Sequence, residues 1–514
     1  MNQFVFEPIK PVVDTKFGKL RGVTYGDVNI FMGVKYAEAK RFQMPVEQQP
    51  WEGIKNAYTY GPITPQMSGP NPPSYYRGLH MLQKQSEDCQ NLNIWAPKTV
   101  NGEKKAVLVW MHGGGYSAGN ALEEYSFDGF NLSHYGDVVF VSINHRLNLL
   151  AHMNLADYGP EFKNSANVGI ADLVAALKWV HENIAAFGGD PENVTIIGHS
   201  GGGGKVQCMF QIEEAAPYFQ RGVILSGAMG SFGGTPEEVA AESKKVAKAI
   251  MDELGITKEN IEKVYEVTYA DLLAATQKVT PILAKEGIFA NWSPVADDYF
   301  PGFPGDIGFM PCSADKPLIV GSTLGEFPMV DLTPEQKEAM TEDEKIAYLQ
   351  KRYGDAGDRL IELFKKAYPT HDIIDLAYTD TMVRIPSMNV ALKHAVNGKD
   401  NTYIFVYSYD TPEDGHIPVW HGGEVCYVFM NEDRVYVLNE AIYGQKLANI
   451  FSTMTLNFMK NGDPNNKYLP EWKPITTEHH YSMIIDCECE CREAFDEELM
   501  DLLVKASPKF SFRP

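Results

Sequence analysis

The segment Val194-Thr-Ile-Ile197-Gly198-His199-Ser200-Gly201-Gly202 constrains this chain more than any other. A short apolar, β-branched run of this kind reads as a strand buried on both faces. The G-x-S-x-G behind it requires a sharp strand-to-helix turn that lifts a serine hydroxyl out of the end of a sheet. Neighbours two residues either side of Ser200 must lack side chains to avoid a clash, which Gly198 and Gly202 satisfy. Alone, the motif recurs by chance in glycine-rich chains as a plain turn; the strand in front of it points to a nucleophile. A phosphate-binding loop is excluded, because that pattern needs Lys followed by Ser or Thr, and here Lys205 is followed by Val206. His199 adjoins Ser200, but on so tight a turn it points elsewhere and is read as shaping the turn, not as a base.

Similar runs recur along the chain: Val107–Met111, Val138–Ile143, Gly222–Leu225, Leu318–Val320 and Tyr403–Tyr407. Between them lie helical stretches. From Ile170, apolar residues fall at Leu173, Val174, Leu177, Val180 and Ile184, the i, i+3, i+4, i+7 pattern. Such alternation implies βαβ units around a central, mostly parallel twisted sheet with helices on both faces, an α/β fold. Residues 236–285 and 334–396 read as helical insertions forming a cap, within a single domain spanning 1–514. The length of 514 residues and 44% apolar content suffice for a large core, and no 18-residue apolar run offers a membrane span. A net charge of −22 argues against nucleic acid or anionic membrane surfaces as partners. The start, MNQFVFEPIK, shows no secretory signal, and seven thinly spread cysteines fit a reducing compartment. The expectation is a cytoplasmic protein.

Ligands of such sheets bind beyond the carboxyl ends of the strands, so the loops there carry the remaining candidates. After Val107–Met111 comes His112-Gly-Gly-Gly115, a loop whose bare amides can approach a carbonyl oxygen. The N–H groups of Gly114, Gly115 and Gly201 are the expected oxyanion hole, stabilising charge that develops in the transition state. The partners of the serine should follow in the order acid, then base. Glu326 is the only carboxylate in the loop after Leu318–Val320 before Asp331, although a solvated loop glutamate would look the same. The loop after Tyr403–Tyr407 holds two histidines, His416 and His421, and loop position leaves both open, with His421 favoured. The mechanism then has His421 take the Ser200 proton and return it to the leaving alcohol, while Glu326 fixes the imidazole tautomer. An ascending limb in the pH profile is expected from the base, near the ordinary histidine value of about 6.5.

These motifs resemble the type-B carboxylesterase family, which includes cholinesterases and bacterial p-nitrobenzyl esterases. The resemblance covers almost the whole chain. It is carried by Asp14–Gly22 and Phe31–Ala37 near the start, by Glu87-Asp-Cys-Gln-Asn-Leu-Asn-Ile94, and most specifically by 165–191 running into the serine turn. It implies an α/β-hydrolase fold, serine ester hydrolysis through an acyl-enzyme, and Glu326 and His421 as acid and base. It also matches Ser226 to a family serine near the acid, which either hydrogen-bonds Glu326 or is a plain turn serine. The family's turn usually reads GESAGG, so His199 stands for Glu and Gly201 for Ala. The stretch Ala37–Arg41 is shorter than the family's proline-rich segment. Cys89 resembles a bridging cysteine of secreted members, but no cysteine precedes it here. At the position of the cholinesterases' cation-binding Trp stands Leu79, which disfavours choline esters.

The substrate is accordingly expected to be a neutral small-molecule ester, small to medium or aromatic, with no metal and no organic cofactor required. A bulkier feruloyl, polyester-type or lipase-like substrate is the alternative, and amide or carbamate cleavage would share the intermediate. A catalytically silent, cholinesterase-like binding protein is the reading of another class; it would have lost the nucleophile, and Ser200 is present. Tyr75-Tyr76 and Met81-Leu82 read as gorge lining or rim packing. His145-Arg146 reads as a structural pair. Cys487, Cys489 and Cys491, with His479 and His480 upstream, read as an unligated thiol row, since zinc sites favour wider cysteine spacing.

Overall fold

The computed structural model describes residues 4–5, 11–67, 83–99, 102–231, 234–328, 330–412 and 416–507. Tyr75, Tyr76, Met81 and Leu82, read as gorge lining or rim packing, and Leu79 lie outside them. The strand alternation is realised as one sheet. Its members are β1 (Phe4–Val5), β2 (Val23–Tyr25), β3 (Val28–Lys35), β4 (Asn91–Pro97), β5 (Lys105–Met111), β6 (Val139–Asn144), β7 (Gly189–His199), β8 (Arg221–Leu225), β9 (Leu318–Thr323), β10 (Thr402–Tyr407), β11 (Tyr481–Ile485) and β12 (Glu490–Glu493). They follow chain order across the sheet except that β6 sits between β4 and β5. From β6 through β11 every pairing is parallel, and the pairings toward either edge are antiparallel.

Each parallel strand is buried on both faces, as its continuous apolar run predicts, and successive residues divide between two cores. In β5, Val107, Val109 and Met111 face one core, while Leu108 and Trp110 face the other. The first core is closed by α2 (Val168–Asn183) and α3 (Gly201–Gln211), through Ile170, Leu173, Val174, Leu177 and Val180 among others. The second is closed by α1 (Phe130–Gly136) and α10 (Gly444–Asn461), whose Leu447, Ile450, Phe451, Met454 and Phe458 form its seam. Helices therefore cover both faces.

The stretches that leave the alternation are helical. α4 (Pro236–Glu253) and α5 (Tyr269–Lys285) share a core with Phe162 and Trp292. α4 starts where its sequence says it should. The Thr235 hydroxyl accepts from the Glu238 N–H at 3.3 Å, the Glu238 carboxylate accepts from the Thr235 N–H at 2.8 Å, and Pro236 opens the first turn. α6 (Pro334–Ala339), α7 (Glu342–Tyr353), α8 (Gly357–Ala367) and α9 (Arg384–Ala395) follow β9, and a separate core joins α7 and α8 to α11 (Glu497–Ala506).

Arg146 is buried and paired in two places with Asp172 of α2, Nη2 to Oδ1 at 2.6 Å and Nε to Oδ2 at 2.8 Å. Such a fork needs both partners, because either charge alone would be costly to bury. Cys487 and Cys489 lie in the turn between β11 and β12, with only Cys491 on a strand, so the three do not form the one-faced row that a continuous strand would give; all three pack on the second core. No helix among the described residues is long and apolar enough to cross a membrane.

Candidate active site

β7 runs out at His199, and the chain turns into α3 through Ser200 at φ 55°, ψ −127°. A non-glycine residue there stores strain of about 1–3 kcal/mol, which persists only where the surroundings over-determine it. Two bonds do so. The Ser200 N–H donates to Leu225 O of β8 at 2.8 Å, and the Ser200 carbonyl accepts from the Gly204 N–H at 3.2 Å. A Cβ on Gly198 would lie 2.2 Å from the Gly202 carbonyl carbon, so the need for bare neighbours inferred from the motif is met in the packing.

The glycine loop leaves β5 beside this turn. Gly114 and Gly115 have φ of 82° and 61°. A Cβ on Gly201 would come within 2.2 Å of Gly115 O, so α3 starts directly against the loop. Gly201 opens that helix, and its N–H is among those a helix start leaves without an intrahelical partner. Behind the loop, the fully buried Lys205 donates from Nζ to His112 O at 2.8 Å. Burial pushes this amine down to about 7. The His112 ring stands 5.3 Å from that of His145, and burial also keeps both imidazoles neutral by lowering them well below the usual range.

Of the two candidate histidines, the structure brings His421 to Glu326 and leaves His416 exposed. His421 Nδ1 is 2.5 Å from Glu326 Oε2, and the His421 N–H donates to Glu326 O at 3.1 Å. The Thr323 N–H donates to Glu326 Oε1 at 2.7 Å. Carboxylate and imidazole are both buried. With Nδ1–H committed to the carboxylate, Nε2 carries a lone pair, and it makes no hydrogen bond among the described residues. The His421 ring packs against the tilted rings of Phe327 at 4.2 Å and His199 at 4.4 Å. Burial drives the His421 imidazole down and the Glu326 carboxyl up to about 7.

Two further buried carboxyls surround this pair, and sequence reasoning missed both. Glu424, three residues past His421, accepts from the Ser226 hydroxyl at 3.2 Å. The Ser226 hydroxyl, a candidate partner of Glu326, thus donates to Glu424, although it also favours the charged form of Glu326. Asp380 accepts N–H donors from Met382, Val383 and Arg384 at 3.1, 2.7 and 3.0 Å. Burial first, and repulsion from Glu326 second, push Glu424 to about 8 and Asp380 to about 7. Glu424 stands three residues after His421 in the run His421-Gly-Gly-Glu424, so its position is plain in the sequence, but its burial is not. Asp380 had no signal.

Ser200, Gly115, Gly201, Ser226 and His421 line one cavity of about 690 Å³; Gly114 does not. Its walls come from α4 through Val239 and Glu242, from Trp292 and Phe289, from Phe327, and from Met382, Val383 and Pro386 at the start of α9. They are largely apolar and aromatic, the lining expected of a small-molecule pocket.

The chain matches the Carboxylesterase family over residues 9–502. It belongs to that family. It is 30% identical to a para-nitrobenzyl esterase of Bacillus subtilis (strain 168) over 490 residues, covering 93% of this chain and 95% of that protein. It is 30% identical to a phenmedipham hydrolase of Pseudarthrobacter oxydans over 508 residues, 93% of this chain and 96% of that one. Among solved structures, an esterase of the anaerobe Clostridium hathewayi that can hydrolyse aliphatic aromatic polyesters superimposes with a TM-score of 0.92 at 38% identity, covering 98% of this chain and 100% of that one. The fold is that of an α/β-hydrolase, and this carboxylesterase is a hydrolase of carboxylic esters.

Proposed function

We propose that this carboxylesterase works through an acyl-enzyme on Ser200, with His421 as base, Glu326 as the acid that orients it, and the N–H groups of Gly114, Gly115 and Gly201 as oxyanion hole. The observation that carries the reading is the ordered pair His421 Nδ1–Glu326 Oε2 at 2.5 Å, with Nε2 unbonded on the wall of the cavity that also holds Ser200. Nε2 takes the Ser200 proton as Oγ bonds to the ester carbonyl carbon. The carbonyl electron pair moves to oxygen, which the amides face. Collapse breaks the bond to the alcohol, which leaves with the Nε2 proton, and water repeats the steps to release the acid.

The helices α4 and α9 contribute to the cavity wall, which supports reading 236–285 and 334–396 as a cap over one domain. Seven unpaired cysteines support a reducing, cytoplasmic setting. A cavity of about 690 Å³ with walls from Phe289, Trp292, Phe327 and Met382 is far larger than an acetyl group needs and favours medium-sized or aromatic esters. The likeness to an esterase that takes aliphatic aromatic polyesters supports a second reading, in which one aromatic unit of a long ester enters the cavity.

The test is initial rate on p-nitrophenyl esters of increasing acyl length and on a benzoate-capped terephthalate diester, wild type beside Ser200→Ala. A loss of roughly 10³-fold or more in the variant is expected, with an optimum beyond acetate. Equal rates in both proteins would remove Ser200 from the mechanism. Release of terephthalate units by wild type alone would select the second reading.

A further inference from the structure

Away from the cavity, three segments bring one histidine and three aspartates together. His371 follows α8, Asp375 lies in the turn Ile373–Ala377, Asp410 starts the short hairpin Asp410–Thr411 with Ile417–Pro418, and Asp486 ends the run of β11. None of them lines the Ser200 cavity.

His371 Nε2 lies 3.0 Å from Asp486 Oδ2. Asp486 is itself fixed as an acceptor by the Ser408 hydroxyl and the Cys487 N–H, each at 2.6 Å. That contact holds the Nε2 proton on Asp486. Burial lowers the imidazole, but the flanking aspartates outweigh it and raise the group to about 10, so an ion would take Nδ1 by displacing its proton, after which a carboxylate backs a metal-binding histidine. Nδ1 faces Asp410 Oδ2 at 3.2 Å and Asp375 Oδ2 at 3.9 Å. It meets neither in hydrogen-bond geometry, although the His371 side chain is only 5% exposed. Asp375 is fully buried; its Oδ1 is 2.6 Å from Lys337 Nζ, and its Oδ2 makes no hydrogen bond. Asp410 Oδ1 is likewise buried without one. The three ligand atoms lie within 4.8 Å of one another.

Charge points the same way. Once an ion has displaced the imidazole proton, three carboxylates stand against the single Lys337 ammonium, and a divalent cation cancels the remainder. We propose that His371 Nδ1, Asp375 Oδ2 and Asp410 Oδ2 form a site for a divalent transition-metal ion of the zinc type. The imidazole donor disfavours calcium and magnesium, which take oxygen ligands. Three protein ligands leave a position for water, and the adjoining cleft of about 250 Å³, lined by His371, Asp410 and Asp486, provides it. The ion clamps the segment after α8 to the hairpin that leads into His421. It takes no part in ester cleavage.

The test uses the full chain after chelator treatment, titrated calorimetrically with Zn²⁺, beside Asp410→Asn and His371→Gln. The expected result is one ion per chain, a thermal transition raised by Zn²⁺ in wild type only, and affinity at least tenfold weaker in both variants. Circular dichroism of each variant shows that it folds. Co²⁺ in place of Zn²⁺ should give ligand-field bands without thiolate charge transfer. No saturable binding, binding unchanged in both folded variants, or a thiolate band that places the ion at Cys487–Cys491 would each overturn the site.

Discussion

His199 is the residue whose identity changes the chemistry of its neighbours most. The family carries Glu after the first glycine of the turn, and this chain carries an imidazole whose ring is tilted against that of His421, 4.4 Å away. Burial keeps His199 neutral, with the positive charge of a protonated His421 adding to that effect. A carboxylate there would favour the imidazolium and oppose ionisation of Glu326, and both effects hold a proton on the pair. With Glu326 pushed up to about 7, activity should rise with pH through that region. His199→Glu should move the ascending limb of kcat/KM to higher pH by roughly half to one unit. A limb that stays put or moves down would show that residue 199 does not reach the base electrostatically. Ser226 acts in the opposite direction: its hydroxyl lowers Glu326, so it helps keep the acid ionised near neutrality.

At the scale of elements, what positions the site is the meeting of α3 with the glycine loop. Gly201 lies so close to Gly115 that a Cβ would be 2.2 Å from its oxygen and 2.4 Å from its Cα. Gly201→Ala must therefore displace the loop, although alanine is the family's usual residue. Moving one oxyanion donor out of line costs up to about 10²–10³ in turnover. We expect kcat to fall by roughly tenfold or more with KM little changed, and binding of a trifluoromethyl ketone inhibitor to weaken in parallel. An unchanged kcat would mean that the loop yields without losing its aim. This contact also marks where legibility ended. Ser200 directly follows a buried strand, a local feature, whereas for Glu326 and His421 loop position left a solvated glutamate and His416 open, and the family resemblance singled them out. Lys205, Asp380 and Glu424 were not readable, because what makes them matter is burial against elements distant in sequence. Lys205 looks like a stray charge in a glycine run until β5 and the loop close over it, and the His371 cluster is assembled from three separate segments.

At the scale of the whole molecule, the buried carboxyls tie stability to pH. Glu424 has its folded value raised from an ordinary 4.5 to about 8, chiefly by burial. A raised acid binds its proton more tightly folded than unfolded. Its contribution is therefore complete below about 4.5 and is lost as pH rises through about 8. Lys205 works the other way, since burial lowers it from 10.5 to about 7 and stability recovers across that interval as pH rises. The buried neutral histidines His112 and His199 add a loss on the acid side, below about 6.5. These opposing contributions would obscure a wild-type profile taken alone, but they cancel in the difference from Glu424→Gln. Glutamine keeps the shape and neutrality of the protonated acid, so it should match wild type near about pH 4.5 and be the more stable by several degrees near about pH 8.5. Thermal unfolding of both proteins at the two pH values is the measurement. Parallel declines would show that Glu424 carries its charge in the folded state, and the Ser226 hydroxyl would then be holding two anions apart, not one.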